Sequence, residues 1–363
     1  LKKLLVKADS STYPVIIGTE IFNNLNKIIN KENLYKNVFA IVDGNVLRLY
    51  KKKLEIVLRN YSDKFSIYSL KPGESSKSYR IINDIYSHLL KDNFGRDTII
   101  IAIGGGVTGD IAGFVASTFM RGVQLVHIPT TLIADVDSAI GGKTGFNLND
   151  RKNIIGTFYQ PQMVITDTDF LNTLPEREVI SGLGEIIKYS FLIDVDFHKT
   201  VLNILPEFQN LKTATIEDLI FKSVNFKSSV VTVDEKESGI RKILNFGHTF
   251  AHAFESEINF RIKHGEAVIM GIISALYLSN RVGLFNKQKL DKFLEMFELI
   301  KLPAKLKKCN TTNLYKIMAH DKKNRAGKIK FVLLQDIGKI VTDVEVSKSD
   351  VQIAINSAQK FIS

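Results

Sequence analysis

Short apolar runs punctuate the first 170 residues: Val15-Ile16-Ile17, Val38-Phe39-Ala40-Ile41-Val42, Phe65-Ser66-Ile67-Tyr68, Thr98-Ile99-Ile100-Ile101-Ala102-Ile103, Val123-Gln124-Leu125-Val126-His127-Ile128 and Met163-Val164-Ile165-Thr166. Several are nearly continuous, the pattern of parallel strands buried on both faces. Helical patterns lie between most of them. That order predicts an α/β domain with an open, mostly parallel, Rossmann-like sheet. The opening stretch, Leu1 to Asp9, has its apolar run broken by Lys7 and Asp9. It is expected to be a first strand rather than a secretion signal.

After Leu174-Pro175 the period changes. Helical segments are predicted at 176–190, 213–232, 245–257, 265–281 and 287–298. A hairpin from Ile329 to Thr342 and a last helix over 347–362 follow. The expectation is an α/β domain at 1–174 and a mostly α-helical domain at 175–363, with a cleft between them as the ligand site.

Composition narrows the classes. The 363 residues carry a net charge of +11, from 38 Lys and 11 Arg against 38 acidic side chains. The lysines are scattered, so they read as a solvated surface that steers small anions rather than as a nucleic-acid face. No run of 18 apolar residues exists, so no membrane span is expected. A single cysteine, Cys309, rules out an internal disulfide and a Cys-based zinc cluster, and fits a reducing compartment.

Several polar loops end these strands. Gly104-Gly105-Gly106-Val107-Thr108-Gly109-Asp110 follows the strongest strand and opens a helix, so its amides can approach a pyrophosphate. Asp43-Gly44-Asn45, Pro72-Gly73-Glu74-Ser75-Ser76-Lys77 and Pro129-Thr130-Thr131 end three other strands on the same edge. Together they point to a dinucleotide. In the helical half, His248 and His252 stand four apart on one helix face, and His264 opens the next helix. Spacing alone pairs His248 with His252 as zinc ligands, with His264 or a carboxylate third. Glu185 and Lys188 lie three apart in a largely apolar segment, where a carboxylate needs a cation.

Five motifs in order, Gly104 to Asp110, Asp137 to Thr144, Glu185 to Tyr189, Asn245 to His252 and His264 to Ala267, closely resemble the 3-dehydroquinate synthase family over nearly the whole chain. Departures are small: Gly184 for the usual Ala, Ser190 for Gly, and Gly145-Phe146 for Ala-Val. The resemblance implies a cyclase that turns 3-deoxy-D-arabino-heptulosonate 7-phosphate into 3-dehydroquinate and phosphate. NAD and zinc, or cobalt in its place, would be the cofactors, and the expected setting is the cytoplasm.

It implies zinc ligands at Glu185, His248 and His264, with His252 beside the substrate phosphate instead. It implies NAD contacts at Asp43, Asn45, Glu74, Lys77, Gly105, Gly106, Val107, Asp110, Thr130, Thr131, Lys143, Lys152, Phe170, Thr173, Leu174 and Glu178. Substrate contacts would be Asp137, Lys143, Asn153, Lys188, Lys227, Arg241, Asn245 and His252, with Lys322 or Lys323. Arg121 matches an arginine that reaches the neighbouring subunit's site, which implies a homodimer. The rivals are another sugar phosphate cyclase and a metal-dependent polyol dehydrogenase. The polyol dehydrogenase would lack the anion-binding Lys and Arg cluster, and the joint presence of Asn245 and His252 argues against the other cyclases.

Overall fold

The computed structural model describes residues 1–29, 34–35, 37–149, 151–210, 212–320 and 329–362. The chain forms two compact units, Leu1–Leu174 with Lys212–Lys236, and Pro175–Leu211 with Glu237–Ser363. The helical period at 213–232 assigns that segment to the second domain, but it packs in the first unit. An amphipathic pattern reports which face is apolar and not which sheet or bundle covers it.

The strands run β1 (Lys2–Lys7), β2 (Thr12–Gly18), β3 (Asn37–Asp43), β4 (Phe65–Leu70), β5 (Thr98–Gly104), β6 (Gln124–Pro129), β7 (Lys143–Leu148), β8 (Arg151–Phe158) and β9 (Met163–Asp167). The first helices are α1 (Leu25–Ile29), α2 (Gly44–Tyr61), α3 (Tyr79–Lys91) and α4 (Gly106–Thr118). Helices α5 (Glu176–Leu192) and α6 (Val195–Ile204) open the second unit, and α7 (Thr213–Val233) returns to the first. The second unit continues with α8 (His248–Glu257), α9 (His264–Arg281), α10 (Lys287–Glu298), α11 (Thr311–Ala319), the hairpin β10 (Lys330–Asp336) and β11 (Lys339–Glu345), and α12 (Lys348–Phe361).

In the first unit a seven-stranded sheet has the order β1-β2-β9-β6-β5-β3-β4. Only β1 and β2 pair antiparallel; the other neighbours are parallel. Alternate side chains of β5 serve opposite cores, because a strand turns successive residues to opposite faces. Ile99, Ile101 and Ile103 join Val38, Ala40 and Val42 under α1 and α2. Ile100 and Ala102 join Phe39 and Ile41 under α3 and α4. This two-sided burial is why the strand reads as an unbroken apolar run. The connection from β3 leads to β4 on one side, and the connections from β5 lead away on the other. The carboxyl ends of β3 and β5 therefore flank a topological switch point, the usual ligand crevice of an open α/β sheet. Asp43 ends β3 and Gly104 ends β5.

The second unit is a helical assembly around α9. That helix is buried on nearly every face, from Gly265 to Ser279 apart from Tyr277. A helix apolar all round is a core helix.

Candidate active site

Two close helix crossings bring the cluster together in the second unit, and both use glycines beside chemical residues. A Cβ built on Gly265 would stand 1.9 Å from the Ser181 carbonyl oxygen, and one on Gly184 would stand 2.5 Å from the Gly265 oxygen. So α5 and α9 touch through backbone, where Glu185 and His264 begin their reach. At the other crossing a Cβ on Gly271 of α9 would stand 2.2 Å from the Gly247 oxygen. Gly247 caps α8 at φ +78°, a conformation side-chain-bearing residues avoid, and His248 follows it. Gly184 thus lies at a backbone contact.

The start of α9 is fixed from outside as well. Glu266 takes a two-pronged bond from Arg177, at 2.9 Å for each arm, and accepts from the Lys263 amide at 2.7 Å. Glu178, an expected NAD contact, pairs with Lys263.

The resulting geometry gathers Glu185, His248 and His264. Their ligand atoms lie within 4.8 Å of one another. Both His Nε2 atoms stand 3.4 Å from the same carboxylate oxygen, Glu185 Oε1, while Oε2 pairs with Lys188. Glu185 and Lys188 are fully buried. Burial alone would raise the Glu185 carboxyl, but Lys188, His248 and His264 hold it well below the usual range. Burial, aided by Lys188, lowers His248 despite Glu185. Burial also opposes charge on His264, but Glu185 and Glu255 push it up to about 10. One carboxylate and two imidazoles aimed at one point form the donor set of a three-ligand zinc site that leaves a position for substrate. His252 is outside that set, with its ring centroid 5.7 Å from that of His248 and 6.4 Å from that of His264. The four-residue spacing places His248 and His252 on one face, and the third member comes from another helix.

Other expected substrate residues of this unit are buried or half-buried. Arg241 is fully buried in the turn Ile240–Asn245. The Asn245 side-chain amide donates to Glu237 Oε1 at 2.7 Å. Lys322 and Lys323 lie outside the described residues.

In the first unit the strand-end loops interlock. A Cβ on Gly104 would meet Thr108 Oγ1 at 2.5 Å, and Gly105 and Gly106 press against Thr131 and Ser138. The loop therefore presents bare backbone ahead of the α4 N-terminus, where an anion is favoured. A cavity of about 10 Å³, room for one water, is lined by Gly104, Gly105, Gly106, His127 and Ser138. Burial lowers His127 to about 4, which keeps it neutral.

Asp43 caps α2 through the Asn45 amide at 2.8 Å. Lys77 pairs with Asp110 and donates to Asn153, and Glu74 accepts from Asn147 at 2.9 Å. Burial raises Asp110, and Lys77 opposes that shift. Lys227, carried by α7, donates to Asp137 Oδ1 at 2.8 Å and to its carbonyl at 2.7 Å, so two expected substrate contacts meet inside this unit. Thr173 bonds Tyr50 at 2.8 Å. Phe170 is a core side chain, packed edge-on against Phe22 and Tyr50. Met120, Arg121 and Gly122 all take positive φ in a tight turn.

Sequence reasoning missed Glu255, whose Oε1 stands 3.3 Å from His264 Nδ1. Its position seven after His248, on the same helix face, is the available signal. It also missed Glu235, which accepts from Ser10 and from Gln160, and the buried Asp135.

Residues 67–181 match the family described as 3-dehydroquinate synthase N-terminal, and residues 182–324 match 3-dehydroquinate synthase C-terminal. The chain is 40% identical over 361 residues to a 3-dehydroquinate synthase of Pelagibacter ubique (strain HTCC1062), covering 97% of each chain. It is 39% identical over 330 residues to that of Thermoanaerobacter sp. (strain X514), covering 91% of this chain and 93% of the relative. Among solved structures, a 2-deoxy-scyllo-inosose synthase complexed with carbaglucose-6-phosphate, NAD+ and Co2+ has a TM-score of 0.90 at 24% identity, covering 98% of this chain and all of the other. A glycerol dehydrogenase of Schizosaccharomyces pombe shares the fold at a TM-score of 0.66 and 17% identity, covering 96% and 89%.

Proposed function

The chain belongs to the 3-dehydroquinate synthase family, and from that premise we propose how its residues share the reaction. The enzyme converts 3-deoxy-D-arabino-heptulosonate 7-phosphate to 3-dehydroquinate and phosphate by transient oxidation, β-elimination of phosphate, reduction and intramolecular aldol closure. Glu185, His248 and His264 would hold a zinc ion that would supply Lewis-acid polarisation of vicinal hydroxyls, and a bound NAD would supply a reversible hydride acceptor.

Lys188, Lys227 and Arg241 supply positive charge to a substrate that carries carboxylate and phosphate. All three are buried, where a charge acts at lower dielectric than in water. Asp137 accepts from the Lys227 ammonium and orients it. His252 hydrogen-bonds the phosphate as negative charge grows on it. Lys143, Asn153 and Asn245 complete the substrate contacts. Asp43, Asn45, Glu74, Lys77, Asp110 and the Gly105 to Val107 backbone receive NAD at the switch point. Thr130, Thr131, Lys152, Thr173 and Leu174 flank it.

The assembly proposed is a homodimer. Support comes from the strained Arg121 turn and from the exposed Ile154, Ile155 and Phe158 of β8, apolar side chains that a second copy would cover. The family relationship and a chain with a single cysteine support the cytoplasm as its setting.

The observation that carries this reading is the convergence of Glu185, His248 and His264 on one point with His252 outside the set. The test is phosphate release from 3-deoxy-D-arabino-heptulosonate 7-phosphate with NAD well below the substrate concentration. Many turnovers without accumulating NADH are expected. Stoichiometric NADH from simple polyols would reverse the assignment.

A further inference from the structure

We propose that Glu255 is a positioning residue for the metal, acting through His264. This rests on the reading of Glu185, His248 and His264 as ligands. A neutral imidazole offers one N–H and one lone pair, and only the nitrogen with the lone pair can bind a metal. Which nitrogen that is depends on what the other one meets. His264 Nδ1 faces Glu255 Oε1 at 3.3 Å, while its Nε2 faces Glu185 Oε1. Both carboxylates can only accept, so with a metal in place of the Nε2 hydrogen the ring would keep its remaining hydrogen on Nδ1, where Glu255 Oε1 accepts it and fixes the ring's orientation.

His248 has the same arrangement with a different acceptor. Its Nδ1 stands 3.3 Å from the Phe246 carbonyl oxygen, and its Nε2 also points at Glu185 Oε1. Both rings are therefore oriented from behind, one by backbone and one by a side chain. A backbone carbonyl cannot be removed by substitution, but Glu255 can.

The location of Glu255 fits this role. It is buried near the end of α8, and its carbonyl accepts from the Phe260 amide at 2.8 Å. Asn259 and Phe260 both take positive φ in the turn between α8 and α9. That backbone is unfavourable for residues other than glycine, and such strain persists where surrounding contacts over-determine it. Here the turn brings the first residue of α9 back over Glu255. Glu266 holds the backbone at that point, and Glu255 holds the ring.

The experiment uses the full chain as wild type, Glu255→Gln, Glu255→Ala and His248→Ala. Zinc affinity is read by competition with a chromophoric chelator, and the cobalt-substituted protein is read by its visible absorption. Thermal unfolding of the metal-stripped proteins reports the fold separately. Glu255→Ala is expected to weaken zinc roughly 10- to 100-fold and to alter the cobalt spectrum. Glu255→Gln keeps an oxygen acceptor at that place, so it should recover most of the affinity. Glu255→Ala binding zinc as tightly as wild type would overturn the proposal. So would equal loss in the Gln and Ala variants that tracks lowered metal-free stability. If His248→Ala loses zinc while Glu255→Ala keeps it, only this inference fails. If wild type binds neither metal, the ligand reading fails with it.

Discussion

Gly265 meets Ser181 backbone to backbone: a Cβ on Gly265 would lie 1.9 Å from the Ser181 carbonyl oxygen. The Ser181 hydroxyl also accepts from the Gly265 amide at 3.2 Å. No side chain can give way there, so Gly265→Ala must push α9 from α5. Overpacking of this kind costs about 1–3 kcal/mol. The displaced residue is the neighbour of His264, so zinc affinity should fall together with the melting temperature. Wild-type zinc affinity in Gly265→Ala would show that this contact does not set the ligand geometry.

Asp135 sets a pH dependence in the first unit. Its carboxyl is buried, and burial holds it well above the usual range, with Thr166 opposing and Asp167 adding to the shift. The folded state therefore keeps a proton that the unfolded chain gives up above about pH 4. The contribution to stability is full below that pH. It falls as pH rises toward the folded value, by about 1.4 kcal/mol per pH unit. Asp135→Asn cannot ionise. Its melting temperature should exceed that of wild type by a margin that grows from pH 4 toward pH 7. Parallel curves for the two proteins would contradict this.

Much of the α/β unit is legible in the chain because parallel strands buried on two faces leave unbroken apolar runs, as at Thr98 to Ile103. The ribbon β7–β8 is not. Lys143 to Leu148 is short and mixed, with only Thr144, Gly145 and Phe146 buried, and Arg151 to Phe158 leaves Ile154, Ile155 and Phe158 exposed, so neither shows an apolar run long enough to announce it. Helix α7 is legible as a helix but not in its partner, which moves Lys227 to the first unit beside Asp137. At the cluster, His248 and His252 are visibly on one face. Whether both aim at one point depends on where α5 and α9 cross, and the close approach of Gly265 to Ser181 decides that. Glu255 was hidden for the same reason, since its partner lies across a turn.

Lys227 offers a test of the substrate contacts that leaves the metal untouched. Its ammonium is buried and donates twice to Asp137. Lys227→Met keeps the length and removes the charge. A charge-assisted hydrogen bond is worth about 1.5–3 kcal/mol, so kcat/KM for phosphate release should fall by roughly ten- to a hundredfold. Zinc content should stay at the wild-type level. An unchanged kcat/KM would remove Lys227 from the substrate contacts.

On the proposed reading the histidines divide: His248 and His264 would hold the metal with Glu185, and His252 would serve the leaving phosphate. Zinc content of purified His252→Ala, measured beside His248→Ala, tests it most directly. His248→Ala should come out empty. His252→Ala should keep a full complement of zinc and still bind NAD, while phosphate release falls roughly a hundredfold or more, as for loss of a charge-stabilising donor. An empty site in His252→Ala would contradict the account and return the ligand pair to His248 and His252.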